Sequence, residues 1–111
     1  MKFGLKENII ENINKIFSAF PEVEEVILYG SRAKGNYKNG SDIDLVLKGE
    51  KINHSLVNKI DLKLDDLLLP YTFDLAVYSR INNADLLDHI HRVGKTIYKK
   101  GSSIFTEQVY K

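Results

Sequence analysis

Gly30-Ser31-Arg32-Ala33-Lys34-Gly35, followed across an Asn- and Gly-rich loop by Ser41-Asp42-Ile43-Asp44-Leu45, is the stretch on which the reading of this chain turns. In front of it, Glu25 to Tyr29 is a short apolar run stopped by Gly30, the pattern of a buried strand. Ser31 is placed to cap a brief helical turn. Asn36 to Ser41 is dense in Asn, Gly and Ser and reads as a loop, and Asp42 to Lys48 as a second strand. Successive side chains of a strand point to opposite faces. Asp42 and Asp44 therefore share one face, about 6.5 to 7 Å apart, while Ile43, Leu45 and Leu47 take the other.

Working outward, Leu5, Ile9, Ile13, Ile16, Phe17 and Phe20 recur at helical steps, and Pro21 ends that helix. Leu56, Ile60, Leu64 and Leu67, with Val57 and Leu68 beside them, predict a helix from Asn53 to Leu69 that Pro70 terminates. Thr72 to Tyr78 reads as a third strand, with Phe73, Leu75 and Val77 alternating against Thr72, Asp74 and Ala76. Asn83 is a candidate N-cap for a helix turning Leu86, Ile90 and Val93 inward, and Gly94 stands where a left-handed C′ glycine belongs. Lys95 to Lys99 adds a short edge strand. The alternation predicts an α/β fold, a small mixed β-sheet with helices packed against it, over residues 1–100. The tail from 101 to 111 carries Ile104, Phe105, Val109 and Tyr110, and two readings stay open for it: frayed, or docked on a partner.

At 111 residues there is room for one core. Lys plus Arg number 16 against 15 Asp plus Glu, a net charge of +1, so nothing in the bulk charge argues for long nucleic acid or an anionic membrane surface. The absence of cysteine excludes disulfides, a thiol nucleophile and Cys-ligated metal. Apolar runs are far short of a membrane span, and the opening MKFGLKENIIENI has no signal-peptide core, so the cytoplasm is the expected location.

A strand that ends in Gly-Ser and turns into a helix presents free backbone N–H groups and a hydroxyl at one spot, which suits phosphate. Three aspartates on one sheet face, Asp42, Asp44 and Asp74, repel one another unless something positive lies between them, and a divalent cation is the economical answer. Two metal ions clamp the attacking and leaving oxygens of an in-line displacement, with Arg32 or Lys34 available to reduce the remaining negative charge. The other candidates have plainer readings. His89 and His91 lie about 200° apart around a helix and cannot chelate one ion together. Near a helix C-terminus, with Arg92, they read as cations favoured by the dipole. His54 reads as a surface residue and Lys38 as a solubilising one. Tyr37, in the motif loop, is the one tyrosine singled out for base stacking.

Gly30-Ser31-Arg32-Ala33-Lys34-Gly35 with Ser41-Asp42-Ile43-Asp44 resembles the motif of the DNA polymerase β-like nucleotidyltransferase superfamily. More narrowly, the chain resembles the minimal nucleotidyltransferases encoded beside HEPN-domain partners. The resemblance implies that Gly30 and Ser31 hold the β and γ phosphates and that Asp42 and Asp44 ligate Mg²⁺, two ions being expected. Asp74 completes the metal site and orients the attacking hydroxyl, and Arg32 and Lys34 match the family's basic positions. The activity implied is transfer of NMP, AMP from ATP, to a hydroxyl of a HEPN-type toxin, making the chain an antitoxin. Two alternatives stay open: a non-catalytic nucleotide-binding or occluding partner of a helical protein, and a small-molecule nucleotidyltransferase of the aminoglycoside type.

Overall fold

Helix α1 (Glu7–Ser18) turns Ile13 and Phe17 into the core and gives way to short-range turns before Pro21, where the stop was expected. Strand β1 (Glu25–Tyr29) runs into the five-residue helix α2 (Gly30–Lys34), and β2 (Ile43–Lys48) follows the loop. Helix α3 (His54–Asp65) carries the chain to β3 (Phe73–Val77), and α4 (Ala84–Val93) leads to β4 (Lys95–Lys99). This computed structural model describes residues 2–101, so the tail positions Ile104, Phe105, Val109 and Tyr110 lie outside the described residues.

The sheet order is β3-β2-β1-β4. Strand β1 is antiparallel to both neighbours, whereas β2 and β3 are parallel and therefore need the crossover that α3 supplies. Alternation along the strands sorts the apolar residues onto two faces. Val26, Leu28, Leu45 and Leu47 pack with Ile13, Phe17, Ile60 and Leu64 beneath α1 and α3, while Ile27, Tyr29 and Val46 meet Ile90 of α4 on the other side. The mixed α/β fold read from the sequence is the observed one. No helix among the described residues is long and apolar enough to cross a membrane.

Several details differ from the sequence reading, among them β3, which is shorter by one residue at each end than Thr72 to Tyr78. Strand β2 begins at Ile43, so Asp42 stands just before it. Helix α3 stops at Asp65. The N–H groups of Leu67 and Leu68 fall back on the carbonyls of Leu64 and Asp65, a tightened turn ahead of Leu69, which the following Pro70 disfavours in helical geometry. Leu68 leaves the expected stripe, adopts φ 53° and is 88% exposed. Gly94 is not left-handed, with φ −59°; glycine is required there because a Cβ would run into the Ile90 carbonyl and the Ile27 side chain.

Asn83 caps α4 as expected, its Oδ1 accepting from the N–H groups of Asp85 at 2.9 Å and Leu86 at 3.1 Å. Asn83→Ala is expected to cost about 1 kcal/mol, and Asn83→Asp much less, measured as the shift in urea midpoint.

Candidate active site

The C-terminal end of β1 and the starts of β2 and β3 meet at one end of the sheet. Tyr29 is paired with Asp44, and Asp44 with Asp74, so the three side chains form a row on one sheet face. This follows from strand periodicity: Ile43 and Leu45, and Phe73 and Leu75, serve the opposite face and commit the residues between them to this one. Asp44 is half-buried, and Asp42 and Asp74 are exposed. Loss of solvent, then the charges of Asp74 and Asp42, raise the Asp44 carboxyl above its ordinary value, while Arg32 opposes them. Tyr29 is pushed up to about 12, by burial first and then by Asp74 and Asp44. The row is thus an excess of negative charge at the edge of an apolar layer. Among the described residues no three ligating side chains already close around a metal position.

Gly30 joins the turn to this row. Its φ is +74°, a left-handed conformation, and a Cβ there would run into Asp44 Oδ2. Only glycine lets the backbone come this close to the carboxylate. Ser31, in the first turn of α2, is half-buried, and Lys34 at its end is exposed.

Arg32, read from the sequence as a nucleotide contact, has structural partners that the sequence did not indicate. It is only 2% exposed, and its guanidinium donates to Ser41 O from Nε at 3.1 Å and Nη2 at 2.8 Å, and to Phe3 O from Nη1 at 2.8 Å. Tyr71 and Tyr37 lie 4.7 Å and 5.3 Å from it, ring centre to guanidinium carbon. All three nitrogens are thus engaged in holding the loop before Asp42 to the N-terminal segment. Tyr37 is stacked on that guanidinium beside Gly4, beside a cleft of about 470 Å³ whose lining also includes Lys38, Pro70 and Tyr71. A larger hollow of about 580 Å³ lies between α1 and β4, lined by Asn14, Lys15 and Tyr98, and contains none of the aspartates. Carboxylates and turn backbone, not cavity size, mark the site.

One participant escapes the sequence reading. The Gly30 N–H donates to Nε2 of His89 at 3.0 Å, and the ring stands edge-on to Tyr29 at 6.2 Å between centres. Nε2 of His89 is the acceptor of this bond, a contact that the sequence reading of His89 did not include. The local sequence holds no signal for this contact. It depends on strand order, which brings α4 beside the end of β1.

The family model described as "Polymerase beta, Nucleotidyltransferase" matches residues 11–103. Among solved structures, a toxin-antitoxin with AMP-PNP is 21% identical with a TM-score of 0.66, over 87% of this chain and 76% of that one. A tri-AMPylated Shewanella oneidensis HEPN toxin in complex with MNT antitoxin is 18% identical with a TM-score of 0.64, over 86% and 73%. The toxin-antitoxin MntA-HepT is 18% identical with a TM-score of 0.64, over 85% and 73%. At these identities the likeness is one of fold. No curated protein matches the sequence.

Proposed function

The chain belongs to the polymerase beta nucleotidyltransferase family, and from that premise we propose that it transfers AMP from ATP to a hydroxyl on a HEPN-type helical protein, acting as its antitoxin. The observation that carries the reading is the pairing of Asp44 with Asp74, next to a Gly30-Ser31 turn whose backbone reaches the Asp44 carboxylate. AMP-PNP and AMPylation in the structural neighbours support the choice of nucleotide, and the HEPN toxin there supports the choice of partner.

The donors fit Mg²⁺. They are all carboxylate oxygens, and the like charges that raise Asp44 are a repulsion that a hard cation relieves. Magnesium is ordinarily held by one or two carboxylates together with substrate phosphates, so Asp44 and Asp74, with Asp42, are the protein's share of such a site. When bound, the ion supplies charge neutralisation on the phosphates and on the departing pyrophosphate. The chain's own groups do the rest. Gly30 and Ser31 hold the β and γ phosphates. Asp74, exposed to an incoming acceptor, orients the hydroxyl and takes its proton. The hydroxyl oxygen bonds to the α-phosphorus as the bond to the β-phosphate oxygen breaks, and pyrophosphate leaves. Lys34 remains a candidate phosphate contact, whereas the bonds of Arg32 favour a structural role.

The test is to incubate the protein with a HEPN-type partner, Mg²⁺ and ATP labelled on the α- or the γ-phosphate. Label on the partner from α- but not γ-labelled ATP is the expected result. A tight complex with neither label transferred would instead establish occlusion.

A further inference from the structure

We propose that His89 is a positioning residue for the phosphate-binding turn, acting through its hydrogen bond to the Gly30 amide; this rests on the reading of Gly30-Ser31 as the phosphate holder. Gly30 is set from two sides. Asp44 Oδ2 occupies the space that a side chain would need, and His89 Nε2 takes the N–H at 3.0 Å. The residue between them sits at φ +74° and is the first residue of α2, so its orientation decides where Ser31 points relative to Asp44.

His89 is well placed to hold rather than follow. It lies on α4 next to Ile90, which is 2% exposed and packed on Ile27, Tyr29 and Val46, and its ring lies against buried Tyr29. The imidazole has two side-chain torsions and one accepting nitrogen, so the bond carries direction as well as energy. The Gly30 amide is spent on this contact, so the share of Gly30 in holding phosphate is the close backbone approach that its missing side chain allows, while Ser31 supplies the donors and Gly30 is the hinge that aims it.

Three substitutions separate positioning from simple packing. Gln places an acceptor oxygen near the position of Nε2; Phe keeps the ring and loses the acceptor; Asn keeps an acceptor that is too short to reach. His89→Phe and His89→Asn are expected to raise KM for ATP about tenfold, the size of one lost hydrogen bond. His89→Gln should stay within about twofold of wild type, and AMP affinity should move little in any of them. Thermal melts of all three report the fold.

Equal KM values for Phe and Gln at equal stability would reduce His89 to packing and overturn the proposal. Tighter ATP binding by His89→Phe would also overturn it, since the imidazole would then compete with phosphate for the amide. The ¹⁵N–¹⁵N coupling between the Gly30 amide and His89 Nε2 gives a readout independent of turnover. It should persist when wild type is saturated with ATP and Mg²⁺, and its disappearance would sink the positioning role. Absence of any ATP-induced shift at Gly30 and Ser31 in wild type would instead overturn the phosphate-turn reading itself.

Discussion

Asp44→Asn is expected to cut nucleotidyl transfer by about 10³-fold or more while raising the thermal stability of the ligand-free protein. The loss follows from removing the central member of the carboxylate set: charge stabilisation at such a centre contributes several kcal/mol, and each 1.36 kcal/mol is tenfold in rate. The gain has the opposite origin. Without a cation, Asp44 is an anion deprived of solvent beside Asp74 and Asp42, and its carboxyl is raised for those reasons in that order. A raised carboxyl means that the folded state holds a proton more tightly than the unfolded one. Stability is therefore lost as pH rises from the ordinary carboxylate value through the raised one, and is recovered on acidification through the same window. The amide has no charge to desolvate, so the variant should melt higher than wild type at neutral pH and lack that part of the pH dependence. Millimolar Mg²⁺ with ATP should raise the wild-type melting temperature and leave the variant nearly unmoved, because only binding to the folded state stabilises it. A variant that melts lower than wild type at pH 7, or retains transfer, would contradict this account. Thermal melts across pH and the α-label assay supply both numbers.

The second large effect is on folding. Arg32→Ala should destabilise the protein by about 3 kcal/mol, roughly 12 to 24 °C in melting temperature for a domain of this size. Hydrogen bonds to charged groups contribute about 1.5 to 3 kcal/mol each, and the substitution leaves the Ser41 and Phe3 carbonyls without the guanidinium and strips Tyr71 and Tyr37 of their cation. Arg32→Lys should recover less than half of this, since one ammonium cannot reproduce a fork that spans two carbonyls. Were Arg32 a phosphate ligand instead, the lysine variant would keep its melting temperature and weaken ATP binding. Calorimetry on both variants decides. Loss of Arg32 also removes the cation that opposes the rise of the Asp44 carboxyl, so transfer should become more dependent on pH in the acid range.

The elements were legible where a local pattern carried them. Strand β1 was bounded by its apolar run and Gly30, α4 by the Asn83 cap, and β3 by the alternation that sets Asp74 opposite Phe73 and Leu75. Strand periodicity thus anticipated the facing of Asp44 and Asp74, although not their direct pairing, because two parallel strands can register in many ways until a crossover and a core fix one. Three of the features that were not legible share a cause. Arg32, Gly94 and His89 were read from neighbours in sequence, whereas their partners are Phe3, Ile27 and Gly30, brought near only by the tertiary fold. Leu68 failed for a local reason, since periodicity counted it into the helix and Pro70 had already ended the helix at Asp65.

The central place of β1 has a temporal corollary. It is made early, yet one of its neighbours, β4, is made after the other described strands, and the histidine that fixes the residue after β1 arrives only just before β4. On the ribosome, the nascent chain can lay β2 and then β3 beside β1 while the other edge still waits for its strand. Ordering of the turn should therefore wait until α4 has emerged, so that synthesis itself acts as the safety catch on the transfer proposed for this site.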